Sequence, residues 1–123
     1  MTDSLSTYRE TMRRREARAR RAQELRRQKA RATARRVARF LRDEYGASRV
    51  VLFGSMARGG RLGPRSDVDL AVWGLDAEDY YEAVGRVQDV DGNARVDLVR
   101  MEDASDSLRK EVRREGGELP IRE

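Results

Sequence analysis

Gly54-Ser55-Met56-Ala57-Arg58-Gly59, followed after a Gly/Arg-rich loop by Ser66-Asp67-Val68-Asp69-Leu70-Ala71-Val72, is the stretch that decides how this chain folds. Side chains on a strand alternate between faces, so Asp67 and Asp69 leave one side of the second segment while Val68, Leu70 and Val72 leave the other. Two carboxylates therefore point together beside a glycine-rich turn. Mg²⁺ takes oxygen ligands and is commonly held by one or two carboxylates plus substrate phosphates, which makes the pair a candidate metal site in a nucleotide-handling protein.

The flanking segments read as alternating elements. Arg49 to Phe53 is expected to form a first strand, Asp67 to Trp73 a second and Ala94 to Met101 a third. A helix from Ala77 to about Val90 is expected between the last two, with Tyr80, Tyr81, Val84 and Val87 on its inner side, and Asp91-Gly92-Asn93 punctuates the step to the third strand. A closing helix from about Ser105 to Glu115 carries Leu108 and Val112 and stops at Gly116-Gly117. The third strand repeats the logic of the second: Val96 and Leu98 share one face and Asp97 takes the other. If strands two and three are neighbours, Asp67, Asp69 and Asp97 converge.

Upstream, residues from about Ser6 to Tyr45 contain no Gly or Pro and are rich in Ala, Arg, Glu and Leu, which predicts one long helix or two in series, ended by Gly46. Ala30, Ala34, Val37, Ala38, Leu41 and Tyr45 recur at three- and four-residue spacing and form a stripe suited to packing on a domain. The first half offers only Tyr8, Met12, Ala19, Ala22 and Leu25 amid arginines, too thin a stripe to bury much area, and is expected to project. Residues 1–45 hold 15 Lys/Arg against 6 Asp/Glu, whereas residues 46–123 hold 12 against 16, so the net charge of +5 describes a basic arm on a mildly acidic domain. The expected division is a helix over 1–45 and a domain over 46–123. Removing residues 1–26 should leave folding and nucleotide binding intact and weaken recognition of an acidic partner.

The chain has no cysteine and no histidine, so disulfides, thiolate catalysis, zinc–thiolate sites and an imidazole base are all excluded. Any chemistry runs on carboxylates, hydroxyls and arginines. No apolar run approaches the roughly 18 residues of a membrane span, and the N-terminus lacks the apolar core of a signal peptide, so a cytoplasmic protein with no membrane contact is expected.

Taken together, Gly-Ser, a loop containing Ala-Arg-Gly, Ser-Asp-x-Asp-Leu and a later lone Asp on a strand resemble the minimal nucleotidyltransferases of the DNA polymerase β superfamily, and among them the MNT antitoxins partnered with HEPN ribonuclease toxins. The resemblance covers about Val50 to Ile121; the loop from Met56 to Ser66 is one residue longer than the antitoxin pattern. It implies an α/β (α+β) fold with a small mixed sheet flanked by helices. It also implies an Mg²⁺-dependent enzyme that transfers a nucleoside monophosphate, AMP from ATP, to a hydroxyl of a partner protein such as a tyrosine of a HEPN toxin. Asp67, Asp69 and Asp97 would then hold two Mg²⁺ ions and carry the chemistry. Gly54, Ser55 and Ser66 would cradle phosphates, with Arg58, Arg61 and Arg65 neutralising triphosphate charge.

Each element also has a plainer role. Gly-Ser is an ordinary turn, Asp-x-Asp on a strand is often solvated surface, and Trp73, Tyr80 and Tyr81 suit a core or rim better than a base-stacking platform. Two other functions use the same residues. One is a non-catalytic partner-binding module of the same fold. The other is an RNA-binding protein that uses the basic helix over residues 9–42, although Glu10, Glu16 and Glu24 interrupt its charge and favour a partner-docking helix.

Overall fold

The long Gly- and Pro-free run forms a single helix, α1, over Ser4–Tyr45 in the computed structural model, which describes residues 4–54, 57, 62, 67–92 and 94–119 apart from the side chain of Glu118. At 1.5 Å per residue its 42 residues extend about 60 Å. The two halves differ as their stripes do. Ala30, Ala34, Val37, Ala38 and Leu41 are buried, whereas no side chain over residues 4–29 is, and Leu5, Tyr8 and Leu25 are all more than half exposed. Gly46 ends the helix in the left-handed region, its N–H donating back to the Arg42 carbonyl at 2.9 Å.

Four strands follow: β1 (Arg49–Phe53), β2 (Val68–Trp73), β3 (Val96–Arg100) and β4 (Gly117–Leu119). Between β2 and β3 lie a 3₁₀ turn at Ala77–Asp79 and helix α2 (Tyr80–Val87); after β3 come a second 3₁₀ turn at Met101–Asp103 and helix α3 (Asp106–Glu115). The Ser105 hydroxyl caps α3 by accepting from the Leu108 N–H at 3.2 Å. The sheet order is β3-β2-β1-β4, with β1 antiparallel to β2 and β4, and β2 parallel to β3. This is the mixed sheet and α+β architecture expected.

One sheet face carries Val50, Leu52, Val68, Leu70, Val72, Val96, Leu98 and Leu119 and packs under α1 and α2. The opposite face carries Val51, Phe53 and Ala71, packed with Met101 and with Val112 of α3. Polar clasps hold α1 in place. The buried Thr33 hydroxyl donates to Asp91 Oδ2 at 2.7 Å, and Arg36 reaches the same oxygen at 2.9 Å. The Tyr45 hydroxyl donates to Glu82 of α2 at 2.7 Å and accepts from Arg86 at 3.1 Å.

Two expectations need correction. The inner side of α2 is Tyr80, Ala83, Val84 and Val87, while Tyr81 is 85% exposed: it sits about 100° round the helix from Tyr80, off the apolar stripe. The closing helix ends at Glu115, before Gly116-Gly117, as expected, but three strands were expected and a fourth follows: β4 pairs Leu119 with Val50 and Gly117 with Leu52. Among the described residues, no helix is long and apolar enough to cross a membrane.

Candidate nucleotide and metal site

The site is built from the end of β1 and the starts of β2 and β3. Phe53 pairs with Asp69, and Asp69 with Asp97, so one row across three strands ends in two adjacent carboxylates. Gly54 follows Phe53 with φ +78°. A Cβ there would collide with Asp69 Oδ2 and lie 3.0 Å from its Cγ, so the Asp69 carboxylate packs directly on the glycine backbone. Both constraints require glycine, one for dihedral freedom and one for space. The turn after β1 and the carboxylate of β2 are thus one packed unit.

Asp67 is exposed, just ahead of β2, and Asp69 is half-buried. Asp97 is paired with Arg95 at 3.5 Å, with 43% of its side chain exposed. Among the described residues no three carboxylates are grouped closely enough to form a metal-binding cluster. Strands β2 and β3 are neighbours and bring Asp69 and Asp97 into register, whereas Asp67 precedes β2 and the expected grouping of all three carboxylates is not seen. Adjacent like charges repel, and the Arg95 guanidinium offers Asp97 a counter-charge. Of the other residues singled out, Ser55, Arg58, Arg61, Arg65 and Ser66 lie outside the described residues.

Several residues with no signal in the sequence frame this site. Gln88, after α2, donates from Nε2 to the Val96 carbonyl at 2.6 Å and accepts from the Val96 N–H at 3.0 Å, while the Tyr80 hydroxyl donates to the Leu98 carbonyl at 2.7 Å. These contacts close the outer edge of β3 on both sides of Asp97, satisfying groups that an open edge strand would present. Gln23 of α1 makes the same two-point pairing with Leu62. Arg31 and Arg35, one turn apart on α1, line a cleft of about 240 Å³ together with Leu52, Ala57 and Glu115. Their positive charge therefore stands beside Ala57, three residues after Gly54. Only their place in a run of arginines marked them, and that run is common to the whole arm.

The family described as Polymerase beta, Nucleotidyltransferase matches residues 36–122, which take in the end of α1 and all four strands. The chain belongs to the polymerase β nucleotidyltransferase family. Among solved structures it is similar to a toxin–antitoxin crystallised with AMP-PNP, at 28% identity and a TM-score of 0.60 over 72% of this chain and 73% of that one. It is similar to a minimal nucleotidyltransferase at 34% identity and a TM-score of 0.54, over 68% of this chain and 86% of that one. A third similar structure holds a tri-AMPylated Shewanella oneidensis HEPN toxin in complex with its MNT antitoxin, at 26% identity and a TM-score of 0.51, over 80% and 71%. No curated protein matches the chain. In this nucleotidyltransferase, the Gly54 turn and the Asp67, Asp69 and Asp97 positions stand at one end of the sheet, where β1 ends and the parallel pair β2–β3 begins.

Proposed function

We propose that this nucleotidyltransferase transfers AMP from ATP to a tyrosine hydroxyl of a HEPN-type toxin and silences it as its antitoxin. The observation that carries the proposal is the row Phe53–Asp69–Asp97 beside Gly54. Similarity to a toxin–antitoxin with AMP-PNP and to a complex with a tri-AMPylated toxin supports the choice of nucleotide and acceptor.

The donor set fits a hard cation, since Asp67, Asp69 and Asp97 offer only carboxylate oxygens. Two Mg²⁺ ions held there would supply charge neutralisation for the triphosphate and for the attacking and leaving oxygens. The chain does the rest by positioning. Gly54 lets the backbone turn sharply out of β1, and in this reading Ser55 and Ser66 would bind phosphate oxygens while Arg58, Arg61 and Arg65 would offset their charge. The tyrosine oxygen bonds to the α-phosphorus as its bond to the bridging oxygen of pyrophosphate breaks. Pyrophosphate leaves, and the phenolic proton passes by way of Asp97, the most exposed end of the row, to solvent. Residues 4–29 of α1, exposed and basic, dock an acidic face of the toxin.

Co-expression with a HEPN toxin tests this directly. Mass spectrometry of the toxin should show added AMP units on a tyrosine, absent when Asp69→Asn replaces the wild type. An unmodified toxin that is still neutralised would mean a binding module instead.

A further inference from the structure

We propose that the cleft at the Arg49 end of the sheet is a second binding site, taking one nucleoside monophosphate away from the carboxylates. Its volume is about 300 Å³, which suits a single small molecule. Arg49, Arg109 and Arg113 line it, and among the described residues around it there is no carboxylate. Its floor is apolar, made of the buried side chains of Val51, Met101 and Val112. At one wall the Arg49 guanidinium lies over the Trp73 ring, 4.6 Å from its centroid, and Trp73 itself is half-buried at the rim of the core.

Positive charge alone does not define the ligand, because exposed arginines are ordinarily solvated. What narrows it is charge set against a flat plate and an apolar floor. A phosphate pairs with guanidiniums, and a base stacks on an aromatic ring or a guanidinium plane. A nucleotide joins both in one molecule, whereas a peptide carboxylate would leave the plate and the floor unused. Arg109 is braced from two sides, its Nε donating to the Ala104 carbonyl at 3.1 Å and its Nη2 to the Glu102 carbonyl at 3.4 Å, which leaves Nη1 without a partner among the described residues. Arg113 stands one turn further along α3, exposed and with no hydrogen bond or ion pair to any described residue. The cleft shares a sheet face with Asp69 and Asp97 but lies at the other end of it: Trp73 follows Asp69 by four residues in β2, about 13 Å along the strand, and Arg49 opens the strand that runs to Gly54. The guanidiniums give this end its own phosphate partners, so a nucleotide held here needs no metal.

Trp73 is the one tryptophan of the chain, so its fluorescence reports on this cleft. The full chain is titrated with AMP in the absence of Mg²⁺, alongside Asp69→Asn and Arg113→Glu, and the wild type is titrated with inorganic phosphate for comparison. Wild type and Asp69→Asn should show the same saturable change in emission. Arg113→Glu, at an exposed and unpaired side chain, spares the fold and should weaken AMP about tenfold, since it sets repulsion where a charge-assisted contact stood. Inorganic phosphate, which has no base to stack, should leave the emission unchanged. No saturable change with AMP at millimolar concentration, or equal affinity in Arg113→Glu, overturns the site. A change lost in Asp69→Asn places the nucleotide at the carboxylates and overturns it likewise. The same response to inorganic phosphate makes the cleft a simple anion site and overturns the assignment to a nucleotide.

Discussion

Asp69 of β2 and Asp97 of β3 are direct partners in a parallel ladder, which places two like charges on strands about 4.8 Å apart with Arg95 as the counter-charge seen at Asp97. Such an arrangement costs stability in the empty protein and is useful once cations arrive. Asp97→Asn relieves the repulsion and gives up only an exposed ion pair of about 0–1 kcal/mol. Urea denaturation should find it as stable as the wild type or more so. Mg²⁺ with AMP-PNP should raise the melting temperature of the wild type and not of the variant. A variant that is less stable when empty, yet stabilised equally by the ligand, would remove Asp97 from the site.

Gly54 is the other half of that site. Gly54→Ala places a methyl group against the Asp69 carboxylate at a φ of +78°, and should cost about 1–3 kcal/mol in the empty protein. Unlike Asp97→Asn, it should lower both stability and AMP-PNP affinity, because Asp69 must move. Unchanged stability would mean that the turn relaxes freely.

Half of α1 belongs to the core, and its arm does not. Leu41 is fully buried in the cluster that joins α1 to the sheet, so Leu41→Ala should cost about 2–5 kcal/mol. Leu5→Ala, at a side chain 54% exposed, should fall within about 0.5 kcal/mol of wild type. Chemical denaturation of the two variants checks the contrast; equal costs would mean that the arm is buried in solution.

Burial holds the Tyr45 proton past its ordinary value of 10.0, and the hydrogen bond to Glu82 adds to this, while Arg86 opposes it. The folded state therefore binds this proton more tightly than the unfolded state. Its contribution to stability is complete below pH 10 and is lost as pH rises through the folded-state value. In alkaline titration followed by phenolate absorbance, the amplitude that Tyr45→Phe removes should lie above pH 10, and the variant should lose less stability than wild type over that range. Lost amplitude at or below pH 10 would break the link between α1 and α2 described here.

Period-two alternation made β2 and β3 legible within one or two residues, whereas β1 was legible as a short continuous apolar run, which the structure buries on both faces. The stripe from Ala30 to Leu41 was legible by its helical period. β4 was not: Gly117-Glu118-Leu119 has no β-branched or aromatic residue, and pairing with β1 alone makes it a strand. Tyr81 misled because two tyrosines stand side by side and only one fits the stripe. The Gln23–Leu62 pairing spans 39 positions and uses a backbone, which leaves no residue-type signal at its far end.

The most direct measurement of nucleotidyl transfer compares ATP labelled at its α-phosphate with ATP labelled at its γ-phosphate, each incubated with Mg²⁺, this protein and a HEPN toxin partner. Transfer of AMP should place the α-label on the toxin and leave the γ-label in pyrophosphate, with Asp69→Asn abolishing incorporation. No α-label on the toxin, or γ-label there instead, would contradict nucleotidyl transfer at this site.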